Sequence, residues 1–284
     1  PLAKRNMKIY MFHAAGIVPQ RALGRRAGDL RSRCIDLAKP NFRTIEWNGI
    51  LLERNESMSA EHQPSAHDQL VALAEEVKPL LRGWFHAVAS VGAFIVTIAL
   101  LVKTYGEVAN FIAALVFGVS MIVLYLVSSI YHIGSWEGRR ERVLRALDHA
   151  NIFLLIAGTY TPICVNVLTG HLRVTMLVLI WGLAALGIGG VLLTLRMPRW
   201  IMVSLYIGMG WVALIALPEI IRVLPLPATI LLLLGGVLYT IGAIIYALRR
   251  PDPIPHIFGF HEIFHLFVIA GSSAFVVAIW VWVV

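Results

Sequence analysis

From residue 84 to Val284 the chain consists of apolar runs of about twenty residues, separated by short breaks that carry Gly, Pro and Arg. An α-helix rises about 1.5 Å per residue, so roughly 20 apolar residues cross a hydrocarbon core about 30 Å thick. In lipid each backbone N–H and C=O must be satisfied within its own segment, which restricts such runs to helices or closed barrels. Runs are read at 84–102, 109–133, 147–167, 172–195, 200–221, 228–248 and 258–283, the fifth interrupted by Pro218 and Glu219. The predicted fold is an all-α, multi-pass protein of the cell membrane, a bundle of seven transmembrane helices. Composition agrees, with 58% hydrophobic and 14% charged residues and a mean hydropathy of +0.78, outside the soluble globular range.

The formal charge of +8 is spread between the apolar runs and forms no single patch with interleaved aromatics, so nucleic acid is not an expected partner. It reports orientation instead. Lys78, Arg82, Arg139, Arg140, Arg142, Arg145, Arg196, Arg199, Arg249 and Arg250 fall on one side, and only Lys103, Arg173 and Arg222 on the other. That asymmetry predicts a cytosolic N-terminus and a C-terminus outside. Residues 1–77 are polar, with Arg21, Arg25, Arg26, Arg31 and Arg33 among small residues, and read as a mostly disordered cytosolic arm. A start at Met58-Ser59-Ala60-Glu61 would make residues 1–57 non-native, and the spacing of Leu70, Leu73, Val77 and Leu80 predicts a short interfacial helix over 69–81. The two cysteines, Cys34 and Cys164, imply no disulfide framework. Oligomeric state is not readable.

Ionisable residues inside a membrane span are costly and mark function by default. His261 and His265 are four residues apart at the start of the last run, so they lie on one helix face. The second run ends at Ser128-x-x-x-His132 and the third begins at Leu147-Asp148-His149. Because the third and seventh runs start on the same side of the membrane, His132, Asp148, His261 and His265 are predicted to share one layer near the cytosolic edge. Three imidazoles at one depth suit Zn²⁺, which binds His nitrogen at about 2.0–2.1 Å and in catalytic sites keeps a position open beside three protein ligands. Asp148 is expected to hydrogen-bond a ligand imidazole or the water of that open position. Ser128, one turn before His132, is placed to orient that water or to donate to a substrate carbonyl. Taken singly, His86, His149 and His256 are expected to make interhelical hydrogen bonds. Pro162 can kink the third run and open a cavity. The glycines at 187, 189, 190, 208, 210, 235 and 236 are expected to allow close helix contact.

His261-Glu262-x-x-His265 also satisfies the zinc-protease pattern in which the Glu is a general base, although that pattern belongs on a helix in a water-filled cleft. Glu262 is instead expected to be interfacial or to contact a ligand histidine from outside the metal's own shell.

The chain resembles bacterial hemolysin III proteins, the bacterial branch of the progestin and adiponectin receptor family, a wider group that includes the alkaline ceramidases. Ser128-x-x-x-His132, Leu147-Asp148-His149-Ala150-Asn151-Ile152-Phe153 with Ala157-Gly158-Thr159-Tyr160-Thr161-Pro162, and His261-Glu262-Ile263-Phe264-His265-Leu266-Phe267 carry the resemblance. Arg82-Gly83-Trp84-Phe85-His86 resembles the family's approach to its first span, so the likeness covers residues 78–284. It implies a seven-helix domain with zinc on His132, His261 and His265 near the cytosolic side and with Ser128 and Asp148 as their polar partners, which the hydrolase reading makes the catalytic residues.

Three functions are compatible with such a site. The first is a zinc-dependent hydrolase of lipid amides or esters, its substrate class implied by the ceramidase resemblance. The second is a cytolysin, which the family name implies. A pore needs polar side chains through the full depth of a bundle, and the fourth and sixth runs are almost wholly apolar. The third is a receptor or sensor of membrane state with a structural zinc, which would be closed by a fourth protein ligand.

Overall fold

The computed structural model describes Pro79 and residues 81–194, 198–254 and 257–284. The arm, residues 1–57 within it, most of the expected interfacial helix at 69–81, and His256 lie outside the described residues.

The apolar runs are helices. They are α1 (Trp84–Lys103), α2 (Val108–Ile133), α3 (Gly138–Asn166), α4 (Gly170–Thr194), α5 (Arg199–Trp211), α6 (Leu217–Val223), α7 (Leu226–Leu248) and α8 (Phe260–Ala278). A π turn, Ile279–Val283, continues α8. No β-strand occurs among the described residues, where the only extended pairing is one isolated bridge, Ile254 with Phe258. The protein is an all-α membrane protein.

Five helices, namely α1, α2, α4, α7 and α8 with its π turn, are each long and apolar enough to cross a membrane. A sixth span is available if α5, the 3₁₀ turn Val212–Ile215 and α6 count as one, bent by 54°. The bend falls where Pro218 and Glu219 interrupt the run. The remaining expected span, 147–167, falls on α3, which at 29 residues has the length but is more polar than those five helices. Buried Asn151, Thr159 and Thr161 contribute that polarity. Thr159 and Thr161 donate to the carbonyls of Leu155 and Ala157 one turn back, so they satisfy themselves within the helix. Pro162 does not end α3, which runs on to Asn166.

Neighbouring helices pack in chain order, α1 on α2, α2 on α3 and α3 on α4, while α7 packs on α5 and α8. The ring closes where α8 meets α1. Phe117, Met121, Leu124 and Tyr125 of α2 bury against Leu155, Ile163 and Cys164 of α3. Phe153 and Ile156 of α3 meet Ile180 of α4 and Tyr206 and Met209 of α5. Of the glycines expected at contacts, Gly187 faces the Phe153 ring and Gly235 the Phe275 ring, whereas Gly189, Gly208, Gly210 and Gly236 face open space.

Candidate metal site

His132 occupies the last turn of α2, Asp148 the third turn of α3, and His261 and His265 the first turns of α8. The chain therefore turns back twice to the same end of the bundle. His132 Nε2 and His261 Nε2 are 3.1 Å apart. Ring centroids are separated by 4.5 Å for His132 and His261, 4.6 Å for His261 and His265, and 5.2 Å for His132 and His265. One nitrogen from each ring falls in a set whose members are all within 4.8 Å of one another. His132 and His265 are buried and His261 is half-buried.

Three imidazoles so placed can hold a metal ion, and two features fit them to one. Among the described residues Nδ1 of His265 is buried without a hydrogen-bond partner, a cost that coordination or a bound polar group would remove. The separation of the His132 and His261 nitrogens also approximates the roughly 3.3 Å expected between two ligands that each stand about 2.0–2.1 Å from a tetrahedral ion.

Asp148 Oδ2 lies 3.4 Å from His132 Nε2 but outside the compact histidine set. Ser128, buried one turn below His132, lines the same cavity as the Asp148 carboxylate. His149 makes the interhelical contact expected of it. Its Nε2 is 3.1 Å from the Tyr246 hydroxyl of α7, and its Nδ1 is 2.6 Å from the Arg145 carbonyl oxygen.

Glu262 is fully buried and both of its oxygens are engaged. Oε1 accepts from Arg82 Nε at 2.9 Å, and Oε2 accepts from the Gly259 backbone N–H at 2.8 Å. The second bond caps α8 from within its first turn. The carboxylate is committed to folding this end of α8.

Two further features were not legible from spacing. Among the described residues, His86 of α1 makes no interhelical hydrogen bond. It stacks on His265 instead, with centroids 3.7 Å apart and planes at 15°. In the bundle interior the Tyr125 hydroxyl donates to Ser272 Oγ at 2.6 Å, and the Tyr239 hydroxyl lies 2.8 Å from the same oxygen. This ties α2 and α7 to α8. The aromatic and hydroxyl residues were visible in the sequence, but the rotation of each helix that brings them together was not.

A cavity of about 170 Å³ opens beside the histidines. His86, Ser128, Asp148, His261 and His265 line one end. The wall then becomes apolar through Leu155 and Ile163 and reaches Leu168 and Thr229 near the opposite ends of α3 and α7.

The sequence profile of the family described as "Haemolysin-III related" matches residues 75–276. The chain belongs to the haemolysin III family. It is 34% identical over 208 residues to "Hemolysin-3 homolog" of Bacillus subtilis, covering 72% of this chain and 92% of that one. It is 37% identical over 202 residues to "Hemolysin-3" of Bacillus cereus, covering 70% and 87%. A more distant likeness reaches "Monocyte to macrophage differentiation factor" of Homo sapiens, 28% identical over 173 residues and covering 60% and 69%. The matched span of this chain, residues 75–276, includes the positions of Ser128, His132, Asp148, His261 and His265 and those of Arg82, Gly83 and His86.

Proposed function

We propose that this haemolysin III protein is a zinc-dependent hydrolase of lipid amides or esters, with zinc held by His132, His261 and His265. The observation that carries this reading is the cavity, whose polar end holds Ser128, Asp148 and two of the histidines and whose apolar remainder runs down the bundle. An acyl chain matches the apolar part, and the carbonyl at its head then lies among the polar residues. When bound, zinc supplies Lewis acidity toward that carbonyl and lowers the pKa of water at neutral pH. Asp148 accepts a proton from the attacking water at its carboxylate and returns it to the leaving amine or alcohol. Ser128 donates its hydroxyl to the developing oxyanion. The apolar wall excludes bulk water from both steps.

The His-Glu-x-x-His protease reading loses support because neither oxygen of Glu262 is free to serve as a general base. A purely structural zinc would favour closure by a fourth protein ligand, and Asp148 stands outside the compact set. The test is release of fatty acid by purified, zinc-loaded protein offered a panel of N-acyl sphingoid bases and acyl esters. Release that disappears in Asp148→Asn while zinc stays stoichiometric supports the proposal. No release from any member of the panel overturns it.

A further inference from the structure

The start of α1 touches the metal site repeatedly without supplying a ligand. Arg82 forms the 2.9 Å ion pair with buried Glu262, next in sequence to His261. The Leu81 N–H donates to the Ile257 carbonyl at 3.3 Å, immediately before α8. Gly83 has φ 87 and lies so close to α2 that a Cβ there would stand 2.8 Å from His132 Cβ. One turn later His86 lays its ring flat on His265. A single turn therefore abuts both metal-bearing helices, α2 through Gly83 and α8 through Arg82 and His86.

Each contact constrains a different degree of freedom. The backbone at Gly83 sets how near α1 comes to His132, and no larger residue fits there without moving one helix. The ion pair pins the first turn of α8, and rotation of that turn about its axis would swing His261 and His265 together away from His132. The stacked ring of His86 restricts the orientation of His265 itself. These are the tasks that residues behind a metal's ligands perform, and losing one of them typically lowers metal affinity about 10- to 100-fold.

We propose that segment 82–86 is the positioning element of the metal site, in which the Arg82–Glu262 pair fixes α8 so that His261 and His265 meet His132. The proposal rests on the zinc reading above. It gives the Arg-Gly-Trp-Phe-His motif a role in building the site rather than in reaching the membrane.

The experiment measures zinc affinity of the purified full chain in detergent by competition with a chromophoric chelator, alongside thermal unfolding of chelator-stripped protein. Arg82→Met and Glu262→Gln are each expected to weaken zinc binding about 10- to 100-fold. The double variant should be no weaker than the worse single variant, because both remove one pair. Arg82→Lys should lie closer to wild type than Arg82→Met. His86→Phe, which keeps a ring against His265, should hold affinity that His86→Ala loses.

Folded Arg82→Met and Glu262→Gln proteins that bind zinc like wild type overturn this proposal alone, leaving the metal site standing. Wild-type protein that binds no zinc overturns both. Should the ion-pair variants not fold, the comparison of His86→Phe with His86→Ala decides, and equal affinities overturn the positioning role.

Discussion

Asp148 and Ser128 stand side by side at the polar end of the cavity, yet they have different chemical capacities. A carboxylate can take and return a proton, while a hydroxyl can only donate to and accept from neighbours that stay in place. On the proposed mechanism, Asp148→Asn keeps the shape of the site and removes the base, and hydrolysis should fall by about 10²- to 10⁴-fold. Ser128→Ala removes one oxyanion donor and should cost about 10²- to 10³-fold in kcat. Both effects should be read from initial rates with zinc content measured on the same samples. A loss that tracks zinc content would reassign these two side chains to holding the metal. His132→Ala should behave in that second way, since it deletes a nitrogen shared by the shortest contact of the cluster. Its zinc stoichiometry by elemental analysis should fall toward zero. Glu262 differs from all of these. It is buried and paired, and removal of one partner of such a pair typically costs about 3–5 kcal/mol, so Glu262→Ala should lower the unfolding temperature of metal-stripped protein as well.

Among the helices, α3 shows how far a linear pattern can be trusted. Its apolar run begins at Leu147, but the helix begins nine residues earlier at Gly138. Arg and Glu are good helix formers, and Glu141 pairs with Arg145 one turn on at 2.5 Å, so a charged segment prolongs the helix where hydropathy marks only its apolar portion. The break inside 200–221 was legible because Pro218 lacks an N–H to give to the preceding turn. The shared depth of His132, Asp148, His261 and His265 was legible because it depends only on counting spans. The contacts of His86 and Arg82 were not, because they depend on the rotation of α1, and an apolar helix with a buried interior and lipid outside has weak one-sided patterning. Helix approach is testable at a single position. A Cβ at Gly158 of α3 would overlap the buried Ser120 side chain of α2, whereas Gly236 of α7 faces open space. Gly158→Ala should therefore destabilise the protein by about 1–3 kcal/mol, and Gly236→Ala should leave it within about 0.5 kcal/mol of wild type. Thermal unfolding in detergent compares the two, and equal effects would mean that α2 and α3 are not in close contact there.

At the scale of the whole molecule, the metal-site histidines, Asp148 and most of the loop charge gather at one end of the bundle. Arg145 reaches the Tyr131 hydroxyl at 3.1 Å, and Arg199 at the start of α5 sits 5.1 Å over the Tyr246 ring at the end of α7. The beginnings of α3, α5 and α8 and the ends of α2 and α7 thus meet on one side, as they must if α5 and α6 together cross once. Among the described residues, the opposite end of the cavity is lined by Leu168, Met176, Ile220 and Thr229, none of them ionisable. On the proposed reading, that lining suits an acyl chain better than a conducted ion. The excess of Lys and Arg at the histidine end predicts that this end faces the cytosol. Single cysteines can test the assignment in a background lacking Cys34 and Cys164. Placed at Arg140 and Arg250, they should react with a membrane-impermeant maleimide only after the cells are opened. Placed at Glu107, before α2, and at Arg173, in the first turn of α4, they should react in intact cells. The reverse pattern would put the metal site at the outer face, and the lipid it meets would then come from the outer leaflet. A mixed pattern would mean that α3 or the bent α5–α6 pair does not span, and the common depth of the three histidines would need another explanation than parity.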